Sequence, residues 1–121
     1  MVEWGAAGWL ALYQYNGGGL YLMLWRQGDV LIESIDAIPA DAELREGPPI
    51  LAYGEATGHS HRVEAPETAQ VWVLYGQLYL KLQSSATIVH DEHGPITLPA
   101  GTYRVWQQRE YTPEDIHTIR D

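Results

Sequence analysis

The sequence predicts an all-β domain, a small sandwich or barrel, on three observations. Apolar stretches of strand length recur along the chain, turn-forming pairs such as Asn16-Gly17, Gly28-Asp29 and Gly76-Gln77 punctuate them, and almost nothing carries a helical period. A chain of 121 residues suits one domain with a single hydrophobic core.

The N-terminal run from Trp4 to Trp25 holds no charged residue. A membrane span is not expected there, because Gln14, Asn16 and Gly17-Gly18-Gly19 would sit at its centre, and a leader peptide would begin with basic residues. Without a recognisable export signal the default compartment is the cytoplasm. The run reads as a hairpin turning at Asn16-Gly17. Counting by parity places Trp9, Tyr13, Tyr15, Tyr21 and Trp25 on one face and Leu10, Leu12, Leu20, Leu22 and Leu24 on the other. Residues 1–25 are therefore expected to form a hairpin extension, a candidate homodimer element, and residues 26–121 the barrel.

Beyond the Gly28-Asp29 turn, Val30 to Ile35 reads as a strand. Pro39 to Gly47 has Pro near its first position and Gly just past its end, the pattern of a turn or two of helix. Pro48-Pro49 forces an extended entry into Ile50 to Gly54. Gln70 to Tyr75 and Leu78 to Gln83 read as strands joined at Gly76-Gln77. Ala86 to His90, Ile96 to Leu98 and Thr102 to Gln108 follow, with a last edge strand expected at Ile116 to Ile119.

Composition removes several classes of function. There is no cysteine, which excludes disulfides, thiolate nucleophiles and iron–sulfur clusters. Seven basic residues stand against sixteen acidic ones, a formal net charge of -9 that repels nucleic acid and anionic lipid surfaces. Five Trp and eight Tyr with no Phe favour half-wet surfaces, such as a stacking platform for sugar rings.

Four of the five histidines fall in two short segments, Gly58-His59-Ser60-His61 and His90-Asp91-Glu92-His93-Gly94. Residues two apart on a strand share a face, so His59 and His61 can aim at one point. His90 and His93 are three apart and need the turn at Gly94-Pro95 to bring both to the same place, so His93, beside that turn, is the first choice for a third ligand and His90 the second. Imidazole sets favour Cu, Zn, Fe or Ni over Mg or Ca, and three of them leave positions open on the ion. Asp91, Glu92, Glu55 and Glu64 are available to orient the rings. Ser60 faces away from its neighbours, no Ser-His-Asp arrangement is legible, and the glycines are too scattered for a phosphate loop.

The order of segments resembles the cupin superfamily, small jelly-roll β-barrels. The likeness lies in Gly-led His59-x-His61, in the strand, glycine turn and return strand over Val71 to Leu80, and in Gly94-x4-Pro99-Ala100-Gly101-Thr102-Tyr103-Arg104. The chain departs from the family in having no glutamate at the usual distance after the histidine pair, and Arg104 where the second motif has a metal histidine. The resemblance implies one mononuclear metal on His59, His61 and His93, with His90 or Gln108 near it. It also implies an oxidoreductase in which Cu, favoured, or Fe acts on an organic substrate, with Zn as another choice of ion. Trp9 and Tyr21 suggest a carbohydrate such as cellulose as that substrate. The alternatives are a non-catalytic sugar- or metal-binding module and a metal-dependent sugar isomerase.

Overall fold

A computed structural model describes residues 2–4, 10–15, 20–53 and 58–108, with side chains described from Met23 onward. The chain runs β1 (Val2–Trp4), β2 (Leu10–Tyr15), β3 (Leu20–Gln27), β4 (Val30–Ile35), β5 (Glu43–Arg45), β6 (Ile50–Tyr53), β7 (Ser60–Val63), β8 (Ala69–Leu74), β9 (Gln77–Leu82), β10 (Ala86–Val89), β11 (Ile96–Leu98) and β12 (Gly101–Gln107). A single 3-10 turn, Pro66–Thr68, separates β7 from β8. The all-β expectation holds: an eight-stranded sheet in the order β1-β2-β3-β4-β12-β9-β8-β5 accompanies a four-stranded one, β11-β10-β7-β6. The pairings are antiparallel throughout.

Alternation along the strands decides what is buried. Val30 and Ile32 on β4, Leu80 and Leu82 on β9, and Tyr103 and Val105 on β12 join Val63, Ile88, Ile96 and Leu98 of the smaller sheet in one apolar cluster. Tyr103 meets Trp25 edge to face at 5.6 Å. Its hydroxyl donates to Pro99 O, and burial pushes its ionisation up to about 12. Alternate residues of the large sheet carry polar pairs instead. Arg104 stands opposite Glu33, bonds it at 2.9 Å, and lies 4.5 Å over the Trp106 ring.

Three expectations need correction. Pro39 to Gly47 is not helical: Ala42 N–H closes a turn on Pro39 O, and Glu43–Arg45 then pairs with β8, Leu44 against Trp72. So short a segment forms too few internal bonds to repay helix nucleation, and the strand pairing supplies bonds at once. The hairpin after β8 turns on Tyr75-Gly76 rather than Gly76-Gln77, since Leu74 pairs with Gln77. Tyr75 takes φ 48 and Gly76 φ 78, as a two-residue turn with both central residues left-handed requires.

The third concerns the N-terminal faces. β2 and β3 do form a hairpin, but Leu10 stands opposite Trp25 and Tyr13 opposite Leu22. An even-length loop puts residues of unlike parity opposite each other, so a single parity count cannot carry a face through the turn. Trp25 is a core residue, and the division at 25/26 falls inside β3. Among the described residues no helix is long and apolar enough to cross a membrane. The expected strand at Ile116 to Ile119 lies outside the described residues.

Candidate functional site

The site forms where the β3–β4 turn, the start of β7, the segment after β10 and the end of β12 meet. β7 carries His61 inward, where it is 1% exposed, while His59 just before the strand remains partly open. Beyond β10 the chain bends round the His90 ring, whose Nδ1 accepts from the backbone N–H of Glu92 at 3.0 Å and of His93 at 3.3 Å. That bend brings both histidines of the second segment to one place. Ring centroids of His61 and His90 are 4.2 Å apart, His90 and His93 4.9 Å, His59 and His90 5.9 Å, and His61 and His93 6.0 Å, nearly parallel. The two segments thus meet, and His90 lies closer to His61 than His93 does.

Sequence reading missed Gln27. Its side chain is buried at 1% exposure, and its amide Nε2 donates to Ile88 O at 3.0 Å and to Gly94 O at 2.9 Å. Both amide hydrogens are thereby used on carbonyls, which fixes the orientation of the group, since the reverse would set oxygen against oxygen. Oε1 then faces His61 Nδ1 at 2.9 Å. It can only accept, so Nδ1 carries the proton and the neutral ring keeps its Nε2 lone pair bare. Metal-bound imidazoles are commonly held in this way.

Asp29, read from sequence only as a turn residue, was missed too. Its Oδ1 lies 3.8 Å from His61 Nε2. Gln107 Nε2 donates to its Oδ2 at 2.7 Å, and Gln108 N–H to its backbone oxygen at 2.7 Å. Gln108, expected to line the site, therefore contributes its backbone N–H, and the side chain that reaches Asp29 is that of Gln107, both residues being exposed. Of the expected ring partners, Glu92 pairs with His59 Nδ1 at 2.7 Å and Asp91 with Arg62 at 3.6 Å. Glu64 gives its N–H to Thr87 O, and Glu55 lies outside the described residues. Trp9 also lies outside them, and Tyr21 is described as β3 backbone only.

Gly28 holds the turn at φ +59, and a Cβ there would lie 2.6 Å from His93 Nε2 and 2.7 Å from Cδ2. Gly28→Ala is expected to cost about 1–2 kcal/mol in left-handed backbone strain and to push the His93 ring aside. Thermal unfolding and the His93 ring resonances check this; unchanged His93 resonances would contradict it.

Burial, foremost, and then the His90 charge lower the His61 pKa to about 4, with Asp29 acting in the opposite direction. Burial, then His93, also lowers His90. His61 is accordingly neutral at pH 7. As pH falls below 6.5 the unfolded chain takes up a proton at this position that the folded chain refuses. Roughly 3 kcal/mol, fully present above 6.5, is lost between 6.5 and 4. Urea midpoints of the metal-free protein should fall through that window while the His61 Cε1–H resonance stays unmoved until near its lower end; a His61 that titrates near 6.5 would refute the assignment.

Chemically the donors suit a transition-metal ion: imidazoles, with that of His61 neutral, its proton held on Nδ1 and its Nε2 bare. As the side chains stand, no three of His, Asp or Glu among the described residues are arranged to hold an ion, so rings must turn to ligate. The His90 ring would also have to release the backbone bonds on Nδ1 or offer its other nitrogen.

A family model described as a domain of unknown function, DUF8820, matches residues 26–108. No curated protein and no solved structure matches the chain.

Proposed function

We propose, for a chain that belongs to the DUF8820 family of domains of unknown function, that His59, His61, His90 and His93 provide the site of one transition-metal ion, and that the domain is a metal-dependent oxidoreductase. The observation that carries the reading is the gathering of four imidazoles from two separate segments, with His61 and His90 at 4.2 Å. The held Nδ1–H of His61 supports it, because a ligand ring must present a bare nitrogen. The redox chemistry comes from the sequence resemblance to cupins and from the preference of imidazole for copper and iron. Such an ion would supply electron transfer between an organic substrate and an oxidant of the dioxygen or peroxide class. The protein's own part is to keep His61 neutral and oriented through Gln27, and to keep His59 in place through Glu92.

The polysaccharide substrate and the homodimer rest on the sequence alone, through Trp9, Tyr21 and the N-terminal hairpin. Elemental analysis of protein purified without added metal, then titration with Cu(II), Fe(II) and Zn(II), tests the reading. One ion per chain is expected, with nitrogen couplings in the paramagnetic resonance spectrum of the Cu(II) form. Failure of every ion to bind at micromolar concentration would remove the metal site. Tight zinc without redox activity would replace the oxidoreductase by the isomerase or the binding module. Incubation with cellulose, a reductant and peroxide, looking for oxidised sugars, tests the substrate.

A further inference from the structure

The bonding around His61 leaves two acceptors facing each other. Gln27 fixes the proton on Nδ1, so Nε2 presents a lone pair, and 3.8 Å away stands Asp29 Oδ1, also an acceptor. With no hydrogen between them the pair is repulsive unless something positive or hydrogen-donating comes between. The carboxylate is not a loose side chain that happens to point this way. Gln107 Nε2 holds Oδ2 at 2.7 Å, Gln108 N–H holds the backbone oxygen, and Arg26 Nε donates to Gly28 O at 2.9 Å, securing the turn from its other side. Oδ1 is the oxygen left over, and it is the one directed at His61. The His93 ring lies directly against Gly28, the residue before Asp29.

We infer that Asp29 supplies a carboxylate ligand to the ion held by the histidines, so that the set is mixed imidazole and carboxylate rather than imidazole alone. The inference rests on reading the histidine cluster as a metal site. Two donors each about 2 Å from an ion can stand up to about 4 Å apart, which admits the observed separation. The carboxylate adds an oxygen donor to the imidazoles on the side of His61 Nε2. Its negative charge also offsets one charge of a divalent ion, and moves preference from Cu(I), which favours soft ligands, toward Fe(II), Zn(II) or Mn(II). Gln107 is then a positioning residue, acting through Asp29.

Calorimetric titration of the full chain with Zn(II), which adds no redox chemistry, tests this on wild type, Asp29→Asn and Gln107→Ala. The Asp29 side chain is 48% exposed and asparagine suits a turn, so Asp29→Asn should fold as wild type does. Expected is one ion on wild type, a loss of at least about tenfold in affinity for Asp29→Asn, and a smaller loss for Gln107→Ala. The Asp29 carboxylate carbon resonance should shift when zinc is added to wild type. Wild-type affinity retained in Asp29→Asn, or an unmoved carboxylate resonance in the loaded protein, overturns the inference and leaves the histidine site standing; either result would mean that a water bridges the two acceptors. A wild-type chain that binds no zinc, copper or iron fails at the histidine reading itself, and the Asp29 assignment falls with it.

Discussion

Gln27→Leu is expected to destabilise the fold by about 3 kcal/mol, because one substitution strips partners from two groups in the interior and a third at its edge. Nδ1–H of His61 loses its acceptor, and the carbonyls of Ile88 and Gly94 lose their donor. Leucine fills similar space, so little of the loss comes from a cavity; most is the cost of polar atoms left dry. The placement of Gln27 adds to this, for the one amide ties β3 to the end of β10 and to the bend carrying His90 and His93. Urea unfolding measures the change, and nitrogen NMR of His61 should show its fixed tautomer becoming a mixture. Gln27→Glu offers a useful contrast: a carboxylate can still accept from Nδ1–H but sets charge against two carbonyls, so it should keep the tautomer and still lose stability. A Gln27→Leu protein within about 1 kcal/mol of wild type would show that water takes over these bonds.

His61→Ala should have the other large effect, and on two independent readouts. Removing a ring that is 1% exposed leaves a cavity and an unpaired Gln27 Oε1, together costing about 3 kcal/mol. Metal affinity should fall below detection, since the buried imidazole whose proton Gln27 holds on Nδ1 is gone. Calorimetry read beside the unfolding curve separates the outcomes. Loss of stability with full metal occupancy would make His61 a structural residue and move the ion to the more open rings of His59, His90 and His93.

Much of the fold was legible because strand alternation and turn residues act locally. Val30–Ile35 and Ile96–Leu98 have the bounds expected from their apolar pattern. The miss at Tyr75 has a physical cause: a tyrosine is rarely left-handed, so the sequence pointed to glycine as the first turn residue, while the pairing of Leu74 with Gln77 decided otherwise. The histidines were legible as a cluster, since spacing restricts where neighbours in sequence can point. Their company was not. Nothing local marks Gln27 as buried or Asp29 as aimed at a ring, because both facts depend on β3 and β4 lying beside segments far along the chain. Gln108 shows the same limit at one-residue resolution: the sequence pointed to Gln108 alone, and that its neighbour Gln107 is the residue reaching Asp29 is set by β12 pairing Gln107 with Val30.

β3 is shared between two partners: Leu20 to Trp25 stand against β2, Leu24 to Gln27 against β4, with Met23 N–H given to Ser34 Oγ where the second pairing ends. A recombinant fragment trimmed to the family-matched stretch would start just past Trp25, discarding an indole that closes the interior against Tyr103. It would also leave β4 without two of its four β3 partners, those opposite Ile32 and Glu33. Such a fragment should be sticky and short-lived in solution, and a workable truncation for crystals or spectroscopy has to start upstream of Leu20.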